Sequence, residues 1–402
     1  MGVLGTNTTK LFVTDQTDFS LALGGPLYQF YLRTRLVRPA LELLLRRIIA
    51  ISLFCWAPLL LLAAVAGQAV SGVKVPFLFD LGVHTRFLLA LPLLIASEPI
   101  VHKRMKSVIE QFIKRGIIRP EDRPHFEAVV GSTRRFRNSV FAEIAILLFA
   151  IGVGYWTWRQ YVVLGVSSWY VLSSDDGSWH LTAAGIWYAF VSSTILRFIL
   201  FRWYYRIFVW YRFLWQVRSL PLHLNLFHPD RAGGLGFLGG SVFAFAPILI
   251  AQTVILAGII GERIWHAGAR LPSFKLEIFF VVAFLVLIVL APLSFFAVRL
   301  GEAHHLATRE YGILASHYVD EFYSKWIEDH RTAGEHLLGT PDLQSLADLG
   351  NGYNVVSKMR LVPIGKETVL RLVILVILPL LPLVLTMIPL DQVIDRAVKL
   401  VF

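Results

Sequence analysis

The chain has 402 residues, of which 56% are hydrophobic and 16% charged, with a mean hydropathy of +0.63. Soluble domains carry about 25% charged residues, so this composition excludes an ordinary soluble fold. The formal net charge of +11 is interpreted as basic loops that meet anionic lipid at the cytoplasmic face, and no nucleic-acid partner is predicted. The single cysteine, Cys55, excludes a disulfide framework and a thiolate metal site within the chain.

Seven apolar blocks follow one another along the chain, and each is close to the roughly 20 residues that cross a bilayer as a helix. Backbone groups in lipid must pair within their own segment, and the blocks lack the alternation of barrel strands. The predicted fold class is therefore all-α, a polytopic membrane protein with about seven transmembrane helices and cytoplasmic helical extensions. The blocks are residues 45–66, 86–101, 140–164, 183–201, 242–261, 276–298 and 369–390.

The basic residues of the loops predict the orientation. Residues 33–47 contain five arginines, and residues 103–137 contain ten lysines and arginines. Residues 166–181 contain neither and carry Asp175 and Asp176. Because cytoplasmic loops hold an excess of lysine and arginine, we expect the N-terminus in the cytoplasm.

Four regions are predicted in chain order. Pro379 and Pro382 interrupt the last apolar block, which leaves open whether it crosses the membrane or re-enters it. The regions are a cytoplasmic segment 1–44 with a candidate interfacial helix; the first six spans, 45–298, with a basic hairpin at 102–139 and a glycine-rich loop at 219–240; a cytoplasmic amphipathic helix and connection, 299–367; and the last block with an interfacial tail, 368–402.

Aromatic and basic residues crowd the predicted ends of the spans. Tryptophan and tyrosine favour the headgroup zone, so residues such as Trp169 and Tyr170 are interpreted as interfacial anchors. The arginines after span four, among them Arg202 and Arg206, spread around a helical wheel rather than along one face. That stretch is therefore predicted to be a basic, aromatic interfacial helix rather than a voltage sensor.

Charged and polar residues within the spans are the candidates for a transport pathway or gate. Intramembrane charges are costly and usually face partners or water, so they are expected to form one network at the cytoplasmic mouth, unless the arginines snorkel to the headgroups. Polar residues lying deeper line a pathway or bond between helices. The candidates are Glu98, Glu143, Arg197, Arg299 and Arg371 for the network, and Ser193 and Gln252 at greater depth.

The segment HPDRAGG at 228–234 is a candidate anion or phosphate loop. Glycine allows positive φ and close approach of backbone amides, and such amides can hold an anion. His228 and Asp230 have no fourth ligand at metal spacing, so no metal site is predicted. The candidate residues of the loop are His228, Asp230, Arg231, Gly233 and Gly234.

Three stretches resemble segments of a family of bacterial multi-pass membrane proteins that has no established activity. They are HPDRAGGLGFL at 228–238, ADLGNGYNVVSKMRLVP at 347–363 and PLLPLVLTMIPLDQVI at 379–394. The resemblance covers most of the chain from span three onward. It implies a bacterial inner-membrane setting and carries over no site residue.

The leading functional hypothesis is a channel or transporter for an ion or a small anionic solute, working without a cofactor and as a candidate homo-oligomer. The alternatives are a non-transporting scaffold or signalling component that docks a cytoplasmic partner, and a membrane enzyme acting on an anionic lipid or polyprenyl phosphate. The sequence motifs of the common metalloprotease, P-loop and serine-hydrolase sites are absent, so an enzyme is not favoured.

Overall fold

A computed structural model describes residues 20–21, 24–34, 43–163, 168–173, 179–328 and 339–387. It is 80% helical with almost no strands, which confirms the predicted all-α class. Seven helices are long and apolar enough to cross a membrane, and each contains most of one predicted block. Spans one to seven are Leu44–Val65, Leu81–Lys114, Val140–Thr157, Ala183–Val217, Ala246–Ala267, Leu271–Glu328 and Lys366–Met387.

Span two continues past its apolar part and ends at Lys114, where Gly116 adopts a φ of +69°. A separate helix, Arg123–Arg137, then leads into span three. Phe126 of this helix packs against Phe112 and Phe213, with ring centroids 5.8 and 6.2 Å away. The basic hairpin predicted at 102–139 is therefore helical, and apolar contacts dock it onto spans two and four. We call this the basic end of the bundle.

Span six is 58 residues long, which at 1.5 Å per residue corresponds to about 87 Å. This is nearly three times the hydrocarbon thickness, so its second half projects beyond the membrane. The helix Pro341–Ser357 folds back on it, with the Tyr311 hydroxyl donating to the Leu349 carbonyl at 2.6 Å. Hydrogen bonds from Lys325 and Trp326 hold the pKa of Asp342 below its usual range.

The last predicted block forms a helical segment of 22 residues, Lys366–Met387. Its α-helix ends at Ile377, and the turns Leu378–Leu380 and Leu385–Met387 are 3-10 helical. Pro379 occupies the first turn of such a segment, where its missing amide proton costs least. The predicted interfacial tail beyond this helix lies outside the described residues.

The loop between spans three and four contains a β-hairpin that the sequence analysis did not predict. Strand β1, Val171–Ser173, pairs antiparallel with strand β2, Trp179–Leu181. Trp169 beside it is fully buried, and its indole donates to Asp80 Oδ2 at 2.9 Å. The interpretation of Trp169 as an interfacial anchor is therefore wrong. The residue is buried in the bundle, where the Asp80 carboxylate accepts its indole hydrogen bond. We call this the hairpin end of the bundle.

Spans two and five approach each other closely at Gly258. A Cβ atom at this position would overlap the Thr85 hydroxyl. The Thr85 hydroxyl donates to the Leu81 carbonyl of its own helix at 2.9 Å, so it is hydrogen-bonded within the contact. Small residues at helix crossings let backbones approach in this way. The contact places Arg86, the next residue, beside span five.

Candidate functional site

A cavity of about 280 Å³ lies inside the bundle near the hairpin end. Spans two, three, four and five contribute to its wall, and residues of the β-hairpin lie at its rim. Both signs of charge occur in it. The charged lining residues are Asp80, Arg86, Arg197 and Glu262, and the polar ones include Thr157, Tyr170, Tyr188 and Ser193.

Two π-helical segments meet at this cavity. Residues Thr85–Ala90 of span two and Tyr188–Ser192 of span four both have π-helical backbone. A guanidinium nitrogen of Arg86 donates to the Tyr188 hydroxyl, which joins the two segments. Short π-helical segments are rare and occur frequently at functional sites, because the extra residue redirects side chains. Here they turn Arg86 and Tyr188 into the cavity.

Arg197, a predicted pathway residue, lies deeper in the same cavity. Its Nη2 donates to the Thr157 hydroxyl of span three at 3.2 Å. A Cβ atom at Gly154 would lie 2.8 Å from Arg197 Nη1, so the glycine lets the guanidinium approach span three closely. Ser193, also predicted, lies one turn earlier on span four and lines the cavity. A guanidinium group is thus held between spans three and four, where it lines the cavity.

The two carboxylates of the cavity flank Gly82 at the start of span two. A Cβ at Gly82 would lie 2.7 Å from Glu262 Oε2 and 3.2 Å from Asp80 Oδ1. Asp80 is engaged by its neighbours, since its oxygens accept from the Val83 amide and the Trp169 indole, both at 2.9 Å. Among the described residues, Glu262 makes no such hydrogen bond. Its carboxylate therefore lines the cavity without a hydrogen-bond donor from the described residues, and its charge interacts with those of Arg86, Arg263 and His266.

Tyr170 adds a hydroxyl at the rim. Burial, together with the nearby Tyr188 and Asp80, raises the pKa of Tyr170. The hydroxyl therefore stays protonated at neutral pH and keeps a proton to donate. It is a neutral polar group facing a space that also holds charges of both signs.

Gln252, another predicted pathway residue, lies further toward the basic end. The Tyr204 hydroxyl donates to the Gln252 side-chain oxygen, which joins spans four and five. Tyr204 is seven residues after Arg197, so both side chains project from the same face of span four, about two turns apart. The Tyr204–Gln252 pair therefore lies beneath the cavity, on the side of the basic end.

A second group of charges is buried at the basic end. We call it the charge cluster, and its members are Arg47, Glu98, Glu143, Arg202 and Arg206. Arg202 is central, because its Nη1 lies 3.0 Å from Glu98 and its Nε 3.0 Å from Glu143. Three arginines face two glutamates, which leaves one excess positive charge. The cluster joins the first four spans at one level.

Arg47 completes the charge cluster from span one. Its Nη2 lies 3.0 Å from Glu98 Oε2, and its guanidinium lies 5.3 Å from the Tyr31 ring centroid. The angle of the ion pair is outside hydrogen-bond geometry, and no nitrogen of this buried guanidinium has a hydrogen bond in the described part of the chain. Its contribution is therefore mainly its charge, which offsets that of Glu98.

The segment before span one covers the charge cluster with backbone groups. The Leu27 amide donates to Glu143 Oε2 at 2.9 Å, and the Gly24 carbonyl accepts from Arg202 Nη2 at 3.2 Å. The helix Pro26–Arg33, predicted only as interfacial, therefore packs onto buried ion pairs. Arg137 donates to the Ser20 carbonyl beside them. Burial and the charges of Arg134 and Arg202 lower the pKa of Arg137 to about 10, so it stays protonated at neutral pH.

The charge cluster has a different composition from the network that the sequence predicts. Glu98 and Glu143 do share a site, but their partners Arg202 and Arg206 were predicted at the interface and are instead 4% and 2% exposed. Arg299 and Arg371 are exposed and pair locally, 3.8 Å from Glu302 and 3.4 Å from Glu367. These local pairs place them outside the charge cluster. Arg202 and Arg206 of span four are buried because they face the buried carboxylates of Glu98 and Glu143.

The candidate anion loop is folded around Asp230. Its carboxylate accepts from the amides of Ala232, Gly234 and Gly236 at 2.8 to 3.2 Å. His228 Nδ1 lies 2.9 Å from Asp230 Oδ1. Gly233 and Gly234 adopt positive φ, as does Arg231, whose carbonyl accepts from the Arg360 amide. The Asp230 carboxylate already accepts hydrogen bonds from these amides. The geometry therefore favours a structural turn over a site for an external anion or phosphate.

Among the residues with described positions, no group of three or more histidine, cysteine, aspartate or glutamate side chains is arranged to hold a metal ion. The fold and the site together define a multi-pass helical membrane protein with a charged cavity inside its bundle. Comparison of the chain with protein-family models, with curated proteins and with solved structures gives no match. The site must therefore be interpreted from its own chemistry.

Proposed function

We propose that the protein is a channel or transporter of the bacterial inner membrane that passes an ion or a small anionic solute. The basic end would face the cytoplasm, as the distribution of lysine and arginine favours, together with anionic lipid. The hairpin end would then face outward. The single observation that carries the proposal is the cavity between the spans, which Arg86 and Arg197 line.

The distribution of polar groups along span four supports this proposal. Arg197 lies in the cavity, Tyr204 follows it on the same face, and Arg202 lies in the charge cluster. Burying guanidinium groups is costly and is expected mainly where ions or polar solutes are handled. The Tyr204–Gln252 pair and the charge cluster would close the basic end while the cavity is accessible from the hairpin end. Such an arrangement suits alternating access.

The alternative functions have weaker support. An enzyme acting on a lipid phosphate predicts a lateral cleft that ends at the loop 223–236. An apolar cleft of about 450 Å³ is lined instead by residues of the N-terminal helix, span one and span four, including Tyr31, Phe54 and Phe198. A scaffold needs no charged cavity, although the projecting half of span six provides a surface for a partner.

Flux measurements in liposomes test the proposal. We expect the purified full chain, reconstituted into liposomes, to pass at least one of chloride, nitrate, phosphate, acetate and glycine faster than protein-free liposomes do. The reason is that Arg86 and Arg197 replace part of the hydration of an anion inside the bundle. Liposomes with heat-denatured protein provide the control for leakage. If each of the five solutes crosses the protein-containing liposomes no faster than it crosses the two control preparations, the proposal is contradicted.

A further inference from the structure

We infer that the cavity binds a small zwitterionic solute, with its anionic group toward Arg197 and its cationic group toward Glu262. This inference rests on the proposed function and narrows the anionic solute to one that also carries a positive charge. It depends on three features of the cavity, which are the separation of its charges, the availability of Glu262 and its volume.

The charges of the cavity are separated in depth. Glu262 lies five residues before the end of span five at the hairpin end, about 8 Å from it along the helix axis. Arg197 lies fourteen residues after the start of span four at the same end, about 21 Å along its axis. Arg86 lies five residues after the start of span two, at a depth similar to that of Glu262. A solute entering from the hairpin end therefore meets Glu262 and Arg86 first and Arg197 deeper.

The four charged residues of the cavity sum to no net formal charge, which argues against a simple anion. Asp80 is engaged with the Val83 amide and the Trp169 indole, and it supports the fold of the rim. Glu262 has no donor of this kind among the described residues, so a bound ammonium group would supply one. A solute bearing only a carboxylate would supply no donor to Glu262 and would be repelled by its charge.

The volume limits the solute to a small one. A water molecule takes about 30 Å³ of liquid volume, so about 280 Å³ holds roughly nine waters. A compact solute with about six to ten non-hydrogen atoms fits this space. Much of the wall is apolar, and Thr157, Ser193 and Tyr170 add polar groups beside the charged residues. The predicted ligand class is therefore a small amino-acid-like zwitterion.

Ligand-dependent thermal stability of the full chain in detergent tests this inference without any need for transport. Three zwitterions of increasing charge separation, glycine, β-alanine and 4-aminobutyrate, are compared with acetate, propionate, butyrate and butylamine at equal concentration and ionic strength. We expect at least one zwitterion to raise the unfolding temperature more than its matched acid and more than the amine. A ligand that binds only the folded state stabilises it in this way.

The variant Glu262→Gln is expected to reduce the affinity for that zwitterion at least about tenfold, and to raise the affinity for the matched acid, because the repulsion between the two carboxylates is removed. Glu262→Asp keeps the carboxylate and should retain part of the preference. Glu277→Gln is the matched control, since Glu277 lies at the same end of the bundle, is exposed, and pairs 3.8 Å from Arg263. Wild-type protein stabilised equally by acid and zwitterion, or by none of the panel, would overturn the inference.

The same solutes in the liposome assay separate the two proposals. Flux of acetate or chloride without any preference for zwitterions would refute the zwitterion site and leave the transport proposal intact. Stabilisation by a zwitterion with no flux of any solute would refute transport and leave the binding site intact.

Discussion

Replacement of Arg202 by methionine is expected to lower the free energy of unfolding by about 3–5 kcal/mol, the usual cost of breaking a buried ion pair by removing one partner. The Arg202 side chain is 5% exposed and joins Glu98, Glu143 and the Gly24 carbonyl. Without it, Glu143 loses the ion pair that compensates its burial. The measurement is denaturant-induced unfolding of the protein in detergent micelles, followed by the far-ultraviolet signal of its helices.

Arg299→Met provides the matched control for this prediction. Arg299 pairs with Glu302 at 3.8 Å, and both side chains are about half exposed. Exposed pairs contribute about 0–1 kcal/mol, so this variant should remain close to the wild type. Arg202→Lys should fall between the two variants, because an ammonium group keeps the charge but cannot bridge both carboxylates as the planar guanidinium does. An Arg202→Met variant as stable as Arg299→Met would refute a structural role for the charge cluster.

Neutralising Arg197 as Arg197→Gln is expected to reduce flux of the transported anion about tenfold to a hundredfold while leaving the fold intact. A hydrogen bond to a charged group contributes about 1.5–3 kcal/mol, which corresponds to that range in affinity. Arg197 contributes its charge to the cavity and bonds the Thr157 hydroxyl, a neutral partner. Stability should change less than in Arg202→Met, because Arg202 bonds two buried carboxylates, those of Glu98 and Glu143.

Arg218→Gln is the control for charge alone. Arg218 lies at the end of span four, where its guanidinium stacks 3.5 Å from the Trp215 ring centroid, away from the cavity. This variant should keep the wild-type rate of flux in liposomes. Arg197→Lys should recover part of the rate, since it restores the positive charge. Unchanged flux in Arg197→Gln would remove Arg197 from the proposed pathway.

The sequence predicted the spans well because the bilayer imposes a simple requirement. A helix must be apolar over about 20 residues to cross, so length and hydropathy suffice to locate it. All seven predicted blocks correspond to helices of this kind. The same reasoning identified Glu98 and Glu143 as unusual, since a carboxylate inside an apolar block stands out without any knowledge of its partner.

The composition of the two charged sites could not be predicted in the same way. Asp80 and Glu262 lie at the ends of apolar blocks, where carboxylates are ordinarily solvated, so no local signal separates them from surface residues. Arg202 and Arg206 follow an apolar block and resemble interfacial residues until the facing carboxylates are known. Their burial depends on helix packing, which brings together residues more than a hundred positions apart in the sequence, such as Arg202 and Glu98.

The π-helical segments and the β-hairpin were missed for a related reason. The composition of the segment Thr85–Ala90 carries no signal of a π-helical backbone, and in the structure the segment packs against span five at Gly258. The strands Val171–Ser173 and Trp179–Leu181 are three residues each, too short to give an alternating pattern. Both features contribute to the cavity, so the residues that form the proposed site depend mainly on tertiary structure.

The most direct test of the account is whether the cavity is reached by water from the hairpin end. Ala189 lines the cavity, and the only native cysteine, Cys55, is fully buried in span one, so Ala189→Cys can be studied in a Cys55→Ala background. We predict that a charged, membrane-impermeant thiol reagent applied outside intact cells modifies Ala189→Cys and leaves Ala63→Cys, a fully buried control, unmodified. An Ala189→Cys variant that reacts only after unfolding would contradict an accessible solute cavity.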